Sequence, residues 1–127
     1  MSTKKQVNTK NAPAAIGPYS QAILAGDMLF ASGQIPIDPA TGNIVGDDIA
    51  AQAHQVLKNI GAVLAECKLD YSDVLKTTVF LTDLGDFGTV NGIYGEYFKA
   101  PFPARSCVQV GALPKGSKIE IEFIAKA

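Results

Sequence analysis

SKIEIEFIA, residues Ser117 to Ala125, alternates: Ile119, Ile121, Phe123 and Ala125 fall on one side of an extended chain, Lys118, Glu120 and Glu122 on the other. Successive strand side chains point to opposite faces, so this period predicts a half-buried β-strand. A neighbouring run, ARSCVQV at Ala104 to Val110, divides in the same way, with Ser106, Val108 and Val110 opposing Arg105, Cys107 and Gln109. Together the two predict a sheet with one apolar face and one face carrying Arg105, Cys107, Gln109, Lys118, Glu120 and Glu122.

Working outward, Val74 to Leu81 is β-branched and apolar between Ser72-Asp73 and Thr82-Asp83, which predicts a central strand. Ahead of it, Ile49, Ala53, Val56, Leu57, Ile60, Val63 and Leu64 recur three or four apart behind Asp47 and Asp48, the signature of a capped amphipathic helix. A second helix is expected over about Asp86 to Phe98, with Phe87, Val90, Tyr94 and Tyr97 on one stripe and Gly85, Gly88, Gly92 and Gly95 on a solvent face. Ala22 to Ala25 and Met28 to Ser32 flank Gly26-Asp27, a hairpin signal. Asn11 to Gln21 reads as an ordered loop, and Gly33 to Asp47 as turn chemistry throughout. The order strand-strand-helix-strand-helix-strand-strand predicts one α+β domain over 1–127 with both helices on one face of the sheet.

The chain has 127 residues, 47% hydrophobic and 18% charged, and 11 Lys and Arg against 12 Asp and Glu leave a net charge of −1. No basic field is available to gather nucleic acid or an acidic membrane. The start, Met1-Ser2-Thr3-Lys4-Lys5, is polar rather than a secretory apolar core, and no run reaches membrane-spanning length, so a cytoplasmic protein is expected. Two cysteines, Cys67 and Cys107, and one histidine, His54, have no metal-ligand spacing, which predicts free thiols and no metal. Nucleotide, metalloprotease and serine-hydrolase signatures do not occur.

Arg105, Cys107, Glu120 and Glu122 admit two readings. One is a solvated or oligomer-facing surface whose charges pair with each other. The other is a site: Arg105 follows the rigid Phe102-Pro103-Ala104, where a guanidinium fork suits bidentate capture of a carboxylate. Glu120 would then act as a base whose pKa is raised by partial desolvation. Cys107 lacks an evident activating base, because His54 sits within the long helix pattern, where a solvent-facing or hydrogen-bonded role is expected. Cys67, at the end of that stripe, reads as a core residue.

FPARSCVQV at Phe102 to Val110, Leu113-Pro-Lys115 and Ile119-Glu-Ile-Glu122 together resemble the Rid family, the reactive intermediate deaminases, and its RidA branch in particular. Ala12 to Gln21, Ser32-Gly-Gln-Ile-Pro36, Lys76-Thr-Thr-Val-Phe80 and Val90-Asn91 stand in the family's order, so the resemblance spans about residues 8 to 126. It implies a chorismate-mutase-like subunit, a mixed β-sheet with two helices on one face, assembled as a homotrimer with active sites in clefts between subunits. It also implies cofactor-free hydrolysis of small 2-imino acids, 2-aminoacrylate and 2-aminocrotonate through their imine tautomers, to 2-oxo acids and ammonium.

Residue by residue, the resemblance assigns carboxylate binding to Arg105 and water direction to Glu120. Tyr19 becomes a pocket tyrosine, Ser32 and Gly33 backbone donors, Asn91 a pocket asparagine, and Cys107 a pocket residue acting through its amide and shape. Ala112 departs from the arginine that bacterial relatives often carry before Leu113-Pro114, which leaves any partner contact at that rim open. A sensing or regulatory protein using the same cleft is the alternative, although binding alone would need only the arginine. RNA cleavage, also attached to relatives, is disfavoured by the absence of a basic patch and by the single histidine.

Overall fold

The structure, a computed structural model, describes residues 4–127; Met1, Ser2 and Thr3, part of the polar start, lie outside the described residues. From the N-terminus the chain forms β1 (Lys4–Val7), β2 (Ala22–Ala25), β3 (Met28–Gln34), β4 (Ile37–Asp38), β5 (Asn43–Ile44) and α1 (Ile49–Glu66). It continues with β6 (Val74–Leu81), α2 (Phe87–Tyr97), β7 (Ala104–Gln109) and β8 (Ile119–Lys126).

The elements expected from apolar periodicity are present within a few residues of their expected bounds. Asp48 caps α1 by accepting the Ala51 N–H at 3.1 Å. At its other end Lys68 turns left-handed (φ 61°), and Leu69 and Lys68 donate to the Leu64 and Ala65 carbonyls, closing the helix in a Schellman motif. Ala53, Val56, Leu57, Ile60, Val63 and Leu64 are fully buried, as the stripe requires. Gly88, Gly92 and Gly95 of α2 face open space.

Two segments differ from the sequence reading. The sequence marks Lys4 and Lys5 only as part of a polar start, yet β1 pairs antiparallel with β2. Backbone hydrogen bonds and one buried side chain, Val7, suffice, and the exposed Lys4, Lys5 and Gln6 suit an edge strand. Within the turn-rich Gly33–Asp47 stretch, β4 and β5 form a two-residue ribbon, Ile37 opposite Ile44.

The six-stranded sheet has the order β1-β2-β3-β8-β6-β7. Its pairs are antiparallel except β6 with β7, which α2 connects as a parallel crossover. On β8, Ile119, Ile121, Phe123 and Ala125 are buried beneath the helices. They pair with Leu81, Val79, Thr77 and Val74 of β6, so those side chains share the helix-covered face. The parallel register then sets Thr77 beside Arg105, Val79 beside Cys107 and Leu81 beside Gln109.

Arg105, Cys107 and Gln109 therefore belong to the helix-covered face, and Glu120 and Glu122 to the open one. The expectation of a single polar face carrying all of them is corrected. β7 is an edge strand whose residues are exposed in both phases except the half-buried Cys107, so its polarity does not report its orientation.

Buried amides tie the helix layer to the loops. Asn59 Nδ2, on the core side of α1, donates to the Ile35 and Ile37 carbonyls at 3.1 and 3.0 Å. Gln52 donates to the Gly46 carbonyl and accepts the Lys118 N–H at 2.8 Å. Asn59→Ala should leave two carbonyls without their donor and cost about 1–3 kcal/mol. Urea unfolding at fixed protein concentration would show this, and an unchanged midpoint would mean that water replaces the amide without loss.

Candidate functional site

Glu120 stands on the open face of β8, directly above Gly33. Ala31 pairs with Phe123 and Gln34 with Ile121, so Ser32 and Gly33 together oppose Glu122 alone. This bulge turns the chain beside the carboxylate. A Cβ built on Gly33 would lie 2.6 Å from Glu120 Cδ and 2.9 Å from its Cγ, so only glycine leaves the carboxylate its seat. Burial, and then repulsion from Glu122, push the Glu120 carboxyl above its ordinary range.

Glu120 opens into a cavity of about 490 Å³ whose lining includes Tyr19, Ser32, Gly33, Ile16, Ile35 and Lys115. The loop bearing Ile16 and Tyr19 is fastened at its base. The buried Gln21 side chain accepts the Thr9 N–H at 2.7 Å and donates to the Thr9 and Pro13 carbonyls at 3.0 and 2.8 Å. Ser32 Oγ donates to the Ser20 carbonyl at 2.6 Å, and the Ser32 N–H to the Gln21 carbonyl at 3.0 Å. The Ser32 N–H, expected to be a substrate donor, is thus used inside the fold.

Arg105 forms a separate group near α2. Its Nη1 donates to Asn91 Oδ1 at 2.8 Å. The guanidinium lies 4.8 Å from the Tyr94 ring centre and 5.3 Å from that of Phe87, so aromatic faces and an amide together orient its plane. Tyr94 is itself held by Thr77, whose hydroxyl lies 2.8 Å from its Oη, and burial raises its pKa, which keeps the phenol neutral. Cys107 lines a depression with Arg105, Phe87 and Leu84, and burial pushes its thiol up while Arg105 acts against that shift.

The expected residues thus fall into two clusters. Tyr19, Ser32, Gly33 and Glu120 line one cavity; Arg105, Asn91 and Cys107 gather on the other face of the sheet. A single chain does not bring Arg105 and Glu120 together. Tyr94 and Phe87 were read only as core stripe residues, and spacing gave no sign that they also carry the arginine. His54 Nδ1 lies 2.8 Å from Tyr97 Oη in the helix layer and lines neither cluster. Among the described residues no group of three or more His, Cys, Asp or Glu is placed to hold a metal ion, and no helix is long and apolar enough to cross a membrane.

The arrangement offers a half-buried carboxylate of raised pKa and a flat, outward-facing cation. The first can act as a base toward water, and the second can hold a carboxylate.

Comparison with known proteins identifies the family. The endoribonuclease L-PSP family model matches residues 9–127. The human 2-iminobutanoate/2-iminopropanoate deaminase is 52% identical over 122 residues, covering 96% of this chain and 89% of its own. The enzyme of the same name from Salmonella typhimurium is 54% identical, covering 95% and 96%. The crystal structure of a Rid-family protein from Yersinia pestis superposes with a TM-score of 0.96 at 54% identity, covering 98% of this chain and 99% of that one. With its sheet, its helix layer and its sequence over nearly the whole length in agreement with theirs, the chain belongs to the endoribonuclease L-PSP family, in its Rid branch of reactive intermediate deaminases.

Proposed function

We propose that this protein hydrolyses reactive enamine and imine intermediates, 2-aminoacrylate, 2-aminocrotonate and their imine tautomers, to 2-oxo acids and ammonium. The observation that carries the reading is Glu120, a carboxylate of raised pKa seated on Gly33 at the mouth of a cavity. Its relatives' activity is the hydrolysis that such a base can perform.

The division of residues between sheet faces calls for a second copy. In the homotrimer we propose, Arg105 of one subunit faces the Glu120 cavity of the next, and Tyr19, Gly33, Asn91 and Cys107 complete the cleft. Exposed Phe30 and Val108 on the open face supply apolar surface for that contact. The free thiols of Cys67 and Cys107 fit a reducing, cytoplasmic setting.

In the proposed cleft Arg105 holds the substrate carboxylate and sets the iminium carbon at near-attack distance from one water. Glu120 takes a proton as the water oxygen bonds to carbon, and the C=N electrons move to nitrogen. The resulting carbinolamine receives the proton back on nitrogen. The C–N bond then breaks, and the hydroxyl proton leaves with the amine as ammonium while C=O forms. The chemistry calls on no cofactor. The family description names RNA cleavage, but His54 lines neither cluster, and no histidine stands beside Glu120 to complete an acid–base pair.

Three outcomes are expected. Analytical ultracentrifugation at micromolar concentration should give a trimer; an active monomer would dismantle the shared cleft. In an assay that generates 2-iminobutanoate with a dehydratase, Glu120→Gln should lower kcat by about 10² or more while 2-oxobutyrate still binds. Arg105→Lys should instead weaken 2-oxobutyrate binding measured by calorimetry, because the bidentate fork is lost. Wild-type turnover by Glu120→Gln would remove that residue's role.

The pH profile supplies a fourth. The base works deprotonated, so kcat/KM should fall as pH drops through the raised Glu120 pKa, above the ordinary carboxylate range. Glu122→Gln removes the second cause of the shift and should move that limb to lower pH, while burial keeps it above the ordinary value. A limb that stays in place would show that Glu120 is not the titrating group.

A further inference from the structure

Three residues of α2 meet the Arg105 guanidinium. Phe87, Asn91 and Tyr94 stand four and three residues apart, so they share one face of the helix. Asn91 Oδ1 accepts the Nη1 hydrogen bond, and the guanidinium carbon lies over the Phe87 and Tyr94 rings. No carboxylate of the described residues forms an ion pair with Arg105. Its plane is therefore set by where α2 puts these three side chains.

α2 needs support from outside itself to put them there. Gly88, Gly92 and Gly95 weaken the helix, and Asp86 at its start makes no side-chain cap hydrogen bond. His54 ties Tyr97 to α1, and Thr77 ties Tyr94 to β6, with Oγ1 and Oη 2.8 Å apart. Thr77 and Tyr94 are both buried, and neither hydroxyl has another hydrogen-bond partner among the described residues. Thr77 is also the register partner of Arg105 across β6 and β7. The contacts form a closed circuit: strand pairing joins Arg105 to Thr77, a hydrogen bond joins Thr77 to Tyr94, and the face of the Tyr94 ring returns to Arg105.

Removing the Thr77 hydroxyl would strand the Tyr94 phenol in the core. A buried hydroxyl without a partner is costly, so the ring would tip toward water or a new acceptor, and the guanidinium would lose the face it lies against. Bidentate capture of a carboxylate is directional, and a tilted fork binds less well. We propose that Thr77 is a positioning residue for the substrate carboxylate: through Tyr94 it sets the plane of the Arg105 fork, without itself touching the substrate. This inference rests on the deaminase reading above.

Calorimetry with 2-oxobutyrate on the intact protein tests it. Thr77→Val, which keeps the β-branched shape, should weaken binding about fivefold, and Thr77→Ser should restore most of the loss. Tyr94→Phe, which keeps the ring and removes its tether, should weaken binding in the same direction, and it decides the matter should Thr77→Val not fold. Added to Arg105→Lys, Thr77→Val should cost no further affinity, because it acts through a fork that is already gone. A hydrogen bond that served the core alone would lower the thermal midpoint when broken and leave these affinities unchanged. Wild-type affinity in Thr77→Val and Tyr94→Phe, or an undiminished loss on top of Arg105→Lys, overturns the inference. The two failures are distinguishable: if Arg105→Lys binds 2-oxobutyrate as the wild type does, the deaminase reading of the site falls and this inference with it. If Arg105→Lys binds weakly while the Thr77 and Tyr94 variants bind normally, only the positioning role is lost.

Discussion

Burial of Ile119, Ile121, Phe123 and Ala125 under α1 leaves Glu120 and Glu122 only the opposite face of the sheet. Everything around the carboxylate is arranged to that placement. β3 must pair with β8, and it does so through the bulge at Ser32 and Gly33, which brings a residue without a side chain under Glu120. β6 pairs on the other edge of β8 and passes the same phase, through α2, to β7. The arginine thus ends beside aromatic rings on the helix side, while the carboxylate looks away from it.

Side-chain amides in the interior then fix the loops that the sheet only begins. Gln21 gathers the segment before β2, Gln52 joins the Gly46 turn to the start of β8, and Asn59 holds the carbonyls after β3. Each would be costly to bury alone, and each is satisfied by backbone groups of a segment that lines or adjoins the Glu120 cavity. The cavity wall is set from beneath by helix α1, without relying on contacts among the exposed residues above it.

Much of this was legible in the residues. The alternation on β8, the helical stripe of α1 and the β-branched run of β6 each have one buried side, and burial makes the pattern readable. β7 was legible as a strand but not in orientation, because an edge strand with polar residues in both phases has no buried side to betray it. β1 and the short β4–β5 ribbon rest mainly on backbone pairing, which side-chain periodicity does not record. Arg105 and Glu120 stood out as a possible site by residue type, and Tyr19, Ser32, Gly33 and Asn91 were named by resemblance. Their division between two faces, the use of the Ser32 N–H within the fold and the aromatic seat of Arg105 follow from register and packing, which emerge only when distant segments meet.

The separation of Arg105 from Glu120 has a genetic consequence under the proposed assembly. Each cleft draws its arginine from one copy and its glutamate from the next, so a defect in either residue spoils only one side of the cleft it helps to build. Any ring containing both an arginine-defective and a glutamate-defective chain has a boundary at which an intact glutamate meets an intact arginine. Two alleles that are each inactive alone would therefore complement one another when expressed in the same cell.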